Sequence, residues 1–322
     1  MIFSNTADLQ QYVTVNDKFN FDRFQPYITK AVNSFTNRYV GKLHVELEQA
    51  ESGDDSIKNE AREHLKAALA NFAMFLYLPY MQVQMDSTGI NVAQNENRKS
   101  ADWWQVNDIR RDYLRAGHEA MDLLLEVLEK NSDLFDDYAN NYSSQYKELL
   151  VKNADEFDRW YNIFRSRQTY LAIVPAMRMI EAQIFKNSIT DAFLTDLKNF
   201  DPSASAAPDD EEENAAMSKI KDYLQQAVVS FTIAKIYHEG MFHFDASGVK
   251  LKFDVLPNEK VQAIDYGKAA DQLQRAIKAN IDNGTQFIIL AKELIEEFFS
   301  NGLSTQESVK ATTIGSGGII GI

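Results

Sequence analysis

The chain has no cysteine among its 322 residues. Disulfides, thiol nucleophiles, Cys-ligated zinc and iron–sulfur clusters are excluded together. Glycine (13) and proline (6) are scarce, which disfavours turn-rich sandwiches and barrels and favours long helices. No apolar run approaches the roughly 18 residues of a membrane-spanning helix. The stretch Met1–Asp8 has no basic segment followed by an apolar one, so neither a secretory leader nor a membrane partner is expected. Positive charge is short as well: 33 Lys and Arg face 47 Asp and Glu, a net charge of −14. A field of that sign repels phosphates, so a protein that coats nucleic acid is disfavoured.

What is present is the balance of a globular protein, with 45% hydrophobic and 25% charged residues, at a length that suits two domains. Self-comparison supplies the organisation. At an offset of 159, Leu65–Gln94 falls on Leu224–Phe253 without a gap. Leu65/Leu224, Ala68/Ala227, Phe72/Phe231, Asp86/Asp245 and Gly89/Gly248 are identical. The same offset pairs Asp112 with Asp271 and Leu114 with Leu273. Upstream the offset is 150, with Phe35 on Phe185, Tyr39 on Ile189, Leu43 on Phe193 and Leu47 on Leu197. The difference falls in the Pro/Ala/Ser/acid stretch 201–216, read as a longer loop in the second copy.

Within each copy the pattern repeats. Phe24, Ile28, Ala31, Phe35 and Tyr39 mark an amphipathic helix, matched by Ile184, Phe185, Ile189, Phe193 and Leu197. Leu65, Leu69, Phe72 and Leu76 mark a second, matched by Ile220, Leu224, Val228 and Phe231. The period then changes to two, predicting β-hairpins near 81–93 and 241–254, each with a turn glycine, Gly89 or Gly248. A third helix carries Ile109, Tyr113, Ala116, Ala120, Leu124 and Val127 on one face, with a weaker counterpart at Ala269, Leu273, Ala276 and Asn280. The aromatic-rich stretch Asp155–Tyr170 is expected to couple the halves. The expected fold is therefore mainly α: two tandem similar helical domains, each with a β-hairpin, plus a flexible C-terminal tail. The first repeat spans 1–150 and the second 151–305 with the acidic loop 201–216. The tail spans 306–322 and has a Gly-rich apolar tip.

Chemistry-bearing patterns are weak. His238-Glu239-Gly240-Met241-Phe242-His243 spaces its histidines at i and i+5, whereas a zinc-binding HExxH helix needs i and i+4. His44, His64 and His118 have no local ligand partners. Asp209–Glu213 reads as a solvated loop, because diphosphate-binding carboxylates project from a rigid helix into an apolar cavity. Gly315–Gly318 lacks the Lys-Ser/Thr of a phosphate loop. Arg110, Arg111 and Arg115 are expected to pair with Asp108, Asp112 and Glu119 along their helix. Trp103-Trp104 reads as core packing ahead of a recognition hot spot. No nucleophile–base–orienter set can be assembled, so no catalytic, metal or cofactor site is assigned and the chain is expected not to be an enzyme.

The order of helices and hairpin, carried by Ala31-x3-Phe35-x3-Tyr39-Val40-Gly41-Lys42-Leu43-x3-Leu47, the Leu65–Tyr80 helix and the Asp86–Val92 hairpin, resembles the head–tail connector (adaptor) proteins of tailed bacteriophages. The duplicated, acidic form is similar to the neck ring proteins of crAss-like phages. The second copy has no glycine in the matching stretch, which reads Ile189-Thr190-Asp191, so its helix is expected to run on where the first breaks. The resemblance implies a virion protein of the neck, made in the host cytoplasm. It would form a homo-oligomer, a dodecameric ring, that docks on the portal and meets other neck or tail proteins. Double-stranded DNA would pass through without specific binding, past an acidic wall that repels it. Candidate partner-binding residues are Ile314, Ile319, Ile320 and Ile322 of the tail and Phe242, Phe244, Val249 and Leu251 of the second hairpin. The alternative is a cellular tandem-helical protein-binding module.

Overall fold

Capping residues start the first helices. Asn5 accepts from the Asp8 amide at α1 (Thr6–Leu9), and Asn20 accepts from the Arg23 amide at α2 (Phe21–Ala31). These side chains satisfy amides that a helix leaves without intrahelical partners. The computed structural model describes residues 2–49, 56–81, 83–86, 89–92, 101–185, 189–201, 211–237, 242–245, 248–251, 266–299 and 302–303. The described chain is mainly helical and divides into two compact units, the first built on Met1–Gln145 and the second beginning at Tyr146.

In the first unit, α2 buries Phe24, Ile28 and Ala31. The single amphipathic helix expected through Tyr39 is interrupted by a π turn, Val32–Thr36, before the short α3 (Asn37–Val40). A π turn advances the backbone by one extra residue, so it rotates the next helical turns relative to a 3.6-residue period. Gly41, at φ +53°, ends the run, and a Cβ there would strike the Tyr142 ring. A short α4 (Leu43–Gln49) comes next, then α5 (Ser56–Met81). Beyond α5, β1 (Val83–Asp86) pairs antiparallel with β2 (Gly89–Val92), Val83 opposite Val92 and Asp86 opposite Gly89. Then α6 (Trp103–Lys130) begins in a capping box between Asp102 and Gln105. The chain closes the unit in short pieces: a 3₁₀ turn Ser132–Leu134, α7 (Asp136–Tyr138), a second π turn Ala139–Ser143, and α8 (Ser144–Lys147), which crosses into the second unit.

The centre of this unit is Phe72 on α5. Phe35 stacks on it at 4.2 Å with the rings 6° apart, and His118 meets it edge-on at 4.9 Å. On the remaining side α6 approaches so closely that a Cβ on Gly117 would lie 2.7 Å from the Phe72 ring. The buried face of α6 is Leu114, Gly117, His118, Ala120, Met121, Leu124, Leu125, Val127 and Leu128. Of the face expected from the sequence, Ala120, Leu124 and Val127 are buried and Tyr113 and Ala116 half-buried, but Ile109 is 47% exposed and drops out of it.

The second unit opens with α9 (Ala154–Asp158) and α10 (Arg167–Phe185). Its helix does not run on: Thr190 caps a separate α11 (Asp191–Asn199), accepting from the Phe193 amide at 3.4 Å. After it come the long α12 (Glu211–Ile236), the ribbon β3 (Phe242–Asp245) and β4 (Gly248–Leu251), and α13 (Tyr266–Phe298). Glu211, Glu212 and Glu213 form the first turn of α12, where carboxylates favour the positive end of the helix dipole. The acidic loop 201–216 is thus shorter than expected, and 202–210 lies outside the described residues. Phe231 meets Gly284 of α13 as Phe72 meets Gly117, with a Cβ again 2.7 Å from the ring.

The two glycine contacts reset the register of the repeat. Phe72 and Phe231 are 159 apart, but Gly117 and Gly284 are 167 apart. With 167, buried Leu124 and Leu128 fall on buried Ala291 and Ile295; with 159, Leu124 would fall on exposed Asn283. The pairing of Asp112 with Asp271 and Leu114 with Leu273 is therefore replaced, because packing against α12 and not sequence identity fixes which turn of α13 is equivalent.

Gly117→Ala gains about 1 kcal/mol of helix propensity yet forces a methyl into a fully packed ring, which costs about 1–3 kcal/mol. We expect net destabilisation in urea unfolding, and a smaller effect for Gly284→Ala, whose neighbour Phe231 is only half-buried. A Gly117→Ala chain as stable as the parent would show that the crossing leaves room for a methyl group.

Candidate interaction surface

Of the sequence-derived partner residues, only the four of the second hairpin fall among the described residues, together on the β3–β4 ribbon. Ile314, Ile319, Ile320 and Ile322 lie outside the described residues, as does the stretch His238–Met241. Phe242 pairs with Leu251 and Phe244 with Val249 across β3 and β4, but their side chains lie outside the described residues.

A surface that sequence reasoning ranked lower is present instead. Trp103 is 75% exposed and Trp104 53%, so the core-packing reading of this pair is corrected. The cause lies in helix lengths. Trp103, Arg110, Gly117 and Leu124 recur every seven residues and share the stripe of α6 that faces α5. Gly117 meets Phe72, and the Arg110 guanidinium lies 4.9 Å over the Phe75 ring. Counting along α5 from the Phe72–Gly117 contact, the helix ends at Met81, about level with Asp108 and so short of Trp103 and Trp104. Trp103 therefore occupies a seam position for which α5 provides no opposing turn. Ile109 (47% exposed), Tyr80 (46%) and Met81 (49%) share this end of the helix pair. Tyr80 ends a ladder of rings from the core: Phe24 to Tyr77 at 5.5 Å, Tyr77 to Tyr27 at 4.9 Å, and Tyr27 to Tyr80 at 5.5 Å. Two adjacent exposed tryptophans with further apolar side chains form the kind of surface that marks an interaction site.

The arginines of α6 divide. Arg111 bonds Asp108 at 2.9 Å, and Arg115 pairs with Asp112 and Glu119. Arg110 departs from the expected pairing: it has no carboxylate partner among the described residues, and its Nε is buried without an acceptor. Burial lowers its pKa from the ordinary arginine value.

The second unit holds a buried polar network. Glu181 on α10, 5% exposed, accepts from the Leu150 amide at 2.6 Å and from Lys198 Nζ at 2.9 Å. Gln225 on α12 donates to the Leu150 carbonyl at 3.0 Å and accepts from Trp160 Nε1 at 3.3 Å. Glu156 accepts from the Lys152 amide at 2.7 Å and from Gln225 Nε2 at 3.2 Å. Both sides of Leu150 are thus gripped by helices of the second unit, which places Leu150 in that unit and not at the end of the first. Farther on, Asp158 Oδ1 accepts from the Ile163 and Arg165 amides at 2.7 and 3.1 Å and holds Phe164 and Arg165 at φ +58° and +50°. The stretch expected to couple the halves is folded onto α10 and α12. Each carboxylate in the network already accepts hydrogen bonds from neighbouring groups, so it reads as a structural clamp.

Among the described residues no group of three or more His, Cys, Asp or Glu is placed to hold a metal ion. No described helix is long and apolar enough to cross a membrane.

Fold and surface together define a duplicated helical-hairpin protein with an exposed aromatic end on its first unit. The chain belongs to a family described as "Family of unknown function (DUF6712)", whose model matches residues 30–148 and 185–289, more than two thirds of its length. The first matched segment runs from the end of α2 through α8, and the second from the end of α10 into α13. No curated protein and no solved structure matches the chain.

Burial pushes the Glu181 carboxyl above its ordinary pKa, against the opposing pull of Lys198 and the Leu150 amide. A carboxyl raised in the folded chain holds its proton more tightly there than when unfolded. Its contribution to stability is full below the unfolded value, about 4.3, and is lost as pH rises through the folded value. The stability of the parent relative to Glu181→Gln is therefore expected to rise as pH falls from 7 toward 4.5, read by urea unfolding. The opposite slope would mean that Lys198 outweighs burial.

Proposed function

We propose that this protein is a structural virion component, a ring-forming head–tail connector that docks on the portal of a tailed phage and extends the DNA channel toward the tail. The observation that carries the reading is the adjacent, exposed pair Trp103 and Trp104 at the start of α6, since exposed tryptophans are enriched where proteins meet. Three further features support it. The topology carried by Ala31–Leu47, α5 and the ribbon at Val83–Val92 resembles phage adaptors. The net charge of −14 suits a wall past which DNA slides without specific binding. Two-stranded ribbons are marginal alone and gain by adding to an edge strand of a neighbouring chain. In this reading the ribbons, with Phe242, Phe244, Val249 and Leu251, and the segment carrying Ile314, Ile319, Ile320 and Ile322 contact the next copy, the portal or an adjoining neck or tail protein.

Light scattering of the purified protein, alone and mixed with the portal from the same genome, tests this. A multi-copy species in either sample, seen as rings by negative-stain microscopy, is expected. A single-chain mass that no candidate portal changes would overturn the connector and favour a tandem-helical protein-binding module.

A further inference from the structure

We infer that Glu63 and Lys66 on α5, and Asp222 and Gln225 on α12, are two copies of one docking site whose ligand is a capped acidic turn, and that the site on α5 accepts the turn of either unit. The docking holds whether or not copies of the chain associate. The ligand occurs twice. At an offset of 148, the segment 2–15 ahead of α2 falls on 150–163 ahead of α10, with Asn5/Asn153 as the single identity. The hydrogen bonds nevertheless match position by position. Asn5 accepts from the Asp8 amide at 3.0 Å, and Asn153 from the Glu156 amide at 2.7 Å. The acid then reaches back to the amide ahead of the cap: Asp8 accepts from Ser4 at 3.2 Å, and Glu156 from Lys152 at 2.7 Å. One turn on, the Tyr12 and Val13 amides donate to the Leu9 carbonyl, as the Trp160 and Tyr161 amides donate to that of Phe157. Leu9 and Phe157 are fully buried, as are Phe3 and Val151.

The receptor is duplicated at the offset of 159 that relates α5 to α12. Lys66 Nζ donates to Asp8 at 3.1 Å, and Gln225 Nε2 to Glu156 at 3.2 Å. One turn earlier on each helix, Glu63 accepts from the Tyr12 hydroxyl at 2.6 Å, and Asp222 pairs with Arg159 at 3.5 Å. Each site thus offers a donor to the acid of the turn and a carboxylate to a donor three or four residues farther along it. The backbone bonds fix where that acid and that donor stand, so turns of different sequence fit one receptor. Placed on α5, the sequence 150–163 would set Glu156 against Lys66 and Arg159 against Glu63, two pairs of opposite charge. Neither turn lies within the residues that the family model matches. Glu181 is no part of the shared element: at the offset of 149 that aligns Pro26 in α2 with Pro175 in α10, its counterpart is Val32.

Full-length variants test the site by hydrogen exchange read by mass spectrometry, with circular dichroism to confirm that the helices remain. In the first variant residues 2–15 are replaced by the sequence 150–163, and in the second the same residues are scrambled. Protection of 60–70 in the first is expected to match the parent within about threefold. In the second it is expected to fall about tenfold, the loss that follows from leaving charged groups on α5 without their partners. A transplant no better protected than the scramble would overturn the inference. So would a scramble as well protected as the parent, since the site would then select nothing. A point variant reads the same contact without exchanging the segment. Lys66→Glu sets a carboxylate against Asp8, so 5–13 is expected to exchange about tenfold faster while 153–161, docked on α12, stays as it was. Unchanged exchange at 5–13 would remove the role of position 66, and with it the shared site.

Discussion

One close approach governs each unit: a phenylalanine of the second helix lies where only a glycine of the third can face it. Around Phe72 the space is taken by the stacked Phe35 ring, the His118 edge and the bare backbone at Gly117. Any side chain at Gly117 would hold the helices apart, and the ring would lose contacts on its most crowded side. The same approach of Gly284 to Phe231 recurs in the second unit. Because the contact sets the height at which the helices cross, it also sets where each ends relative to its partner. The open seam position at Trp103 results from that height and from the end of α5 at Met81.

The units solve the rest of their packing differently. The first relies on rings, running from Phe24 through Tyr77 and Tyr27 to Tyr80, with a π turn that rotates the chain to present Phe35 to Phe72. The second relies on a polar clamp. Glu181 and Gln225 bind the amide and carbonyl of Leu150, and Asp158 holds the tight turn before α10. A buried carboxylate is tolerated there because Lys198 and a backbone amide both reach it, as burial of a charge requires. Near-identical apolar positions thus coexist with different routes into the core, which is how a duplicated chain diverges without losing its frame.

The helical class, the duplication and its upstream register were legible because apolar period and paired identities are local properties. Leu43/Phe193 and Leu47/Leu197 are buried in both units, at the offset that their spacing suggests. The register of the third helix was not legible. Leu114/Leu273 is a coincidence of similar residues, and nothing in a helical period says which turn lies opposite Phe231. Nor was the exposure of the tryptophans, since large aromatics are ordinarily core and the exception depends on a different helix ending one turn too soon. The single signal that could have found it was the seven-residue stripe Trp103–Arg110–Gly117–Leu124, whose glycine marks a close approach.

By itself, then, the sequence determined that this is a cysteine-free, acidic, mainly helical chain made of two like halves, with no apolar run long enough to cross a membrane as a helix. Composition and periodicity act residue by residue along the chain, so they survive without coordinates. The tertiary structure decided which turn of α13 matches which of α6, that Leu150 belongs to the second unit, and that Trp103 and Trp104 face outward. The first and last of these depend on the relative height of two helices far apart in sequence, a quantity set by side-chain packing at their crossing and written in no local pattern, and the second on the hydrogen bonds that Glu181 and Gln225 make to Leu150 across 31 and 75 residues of chain.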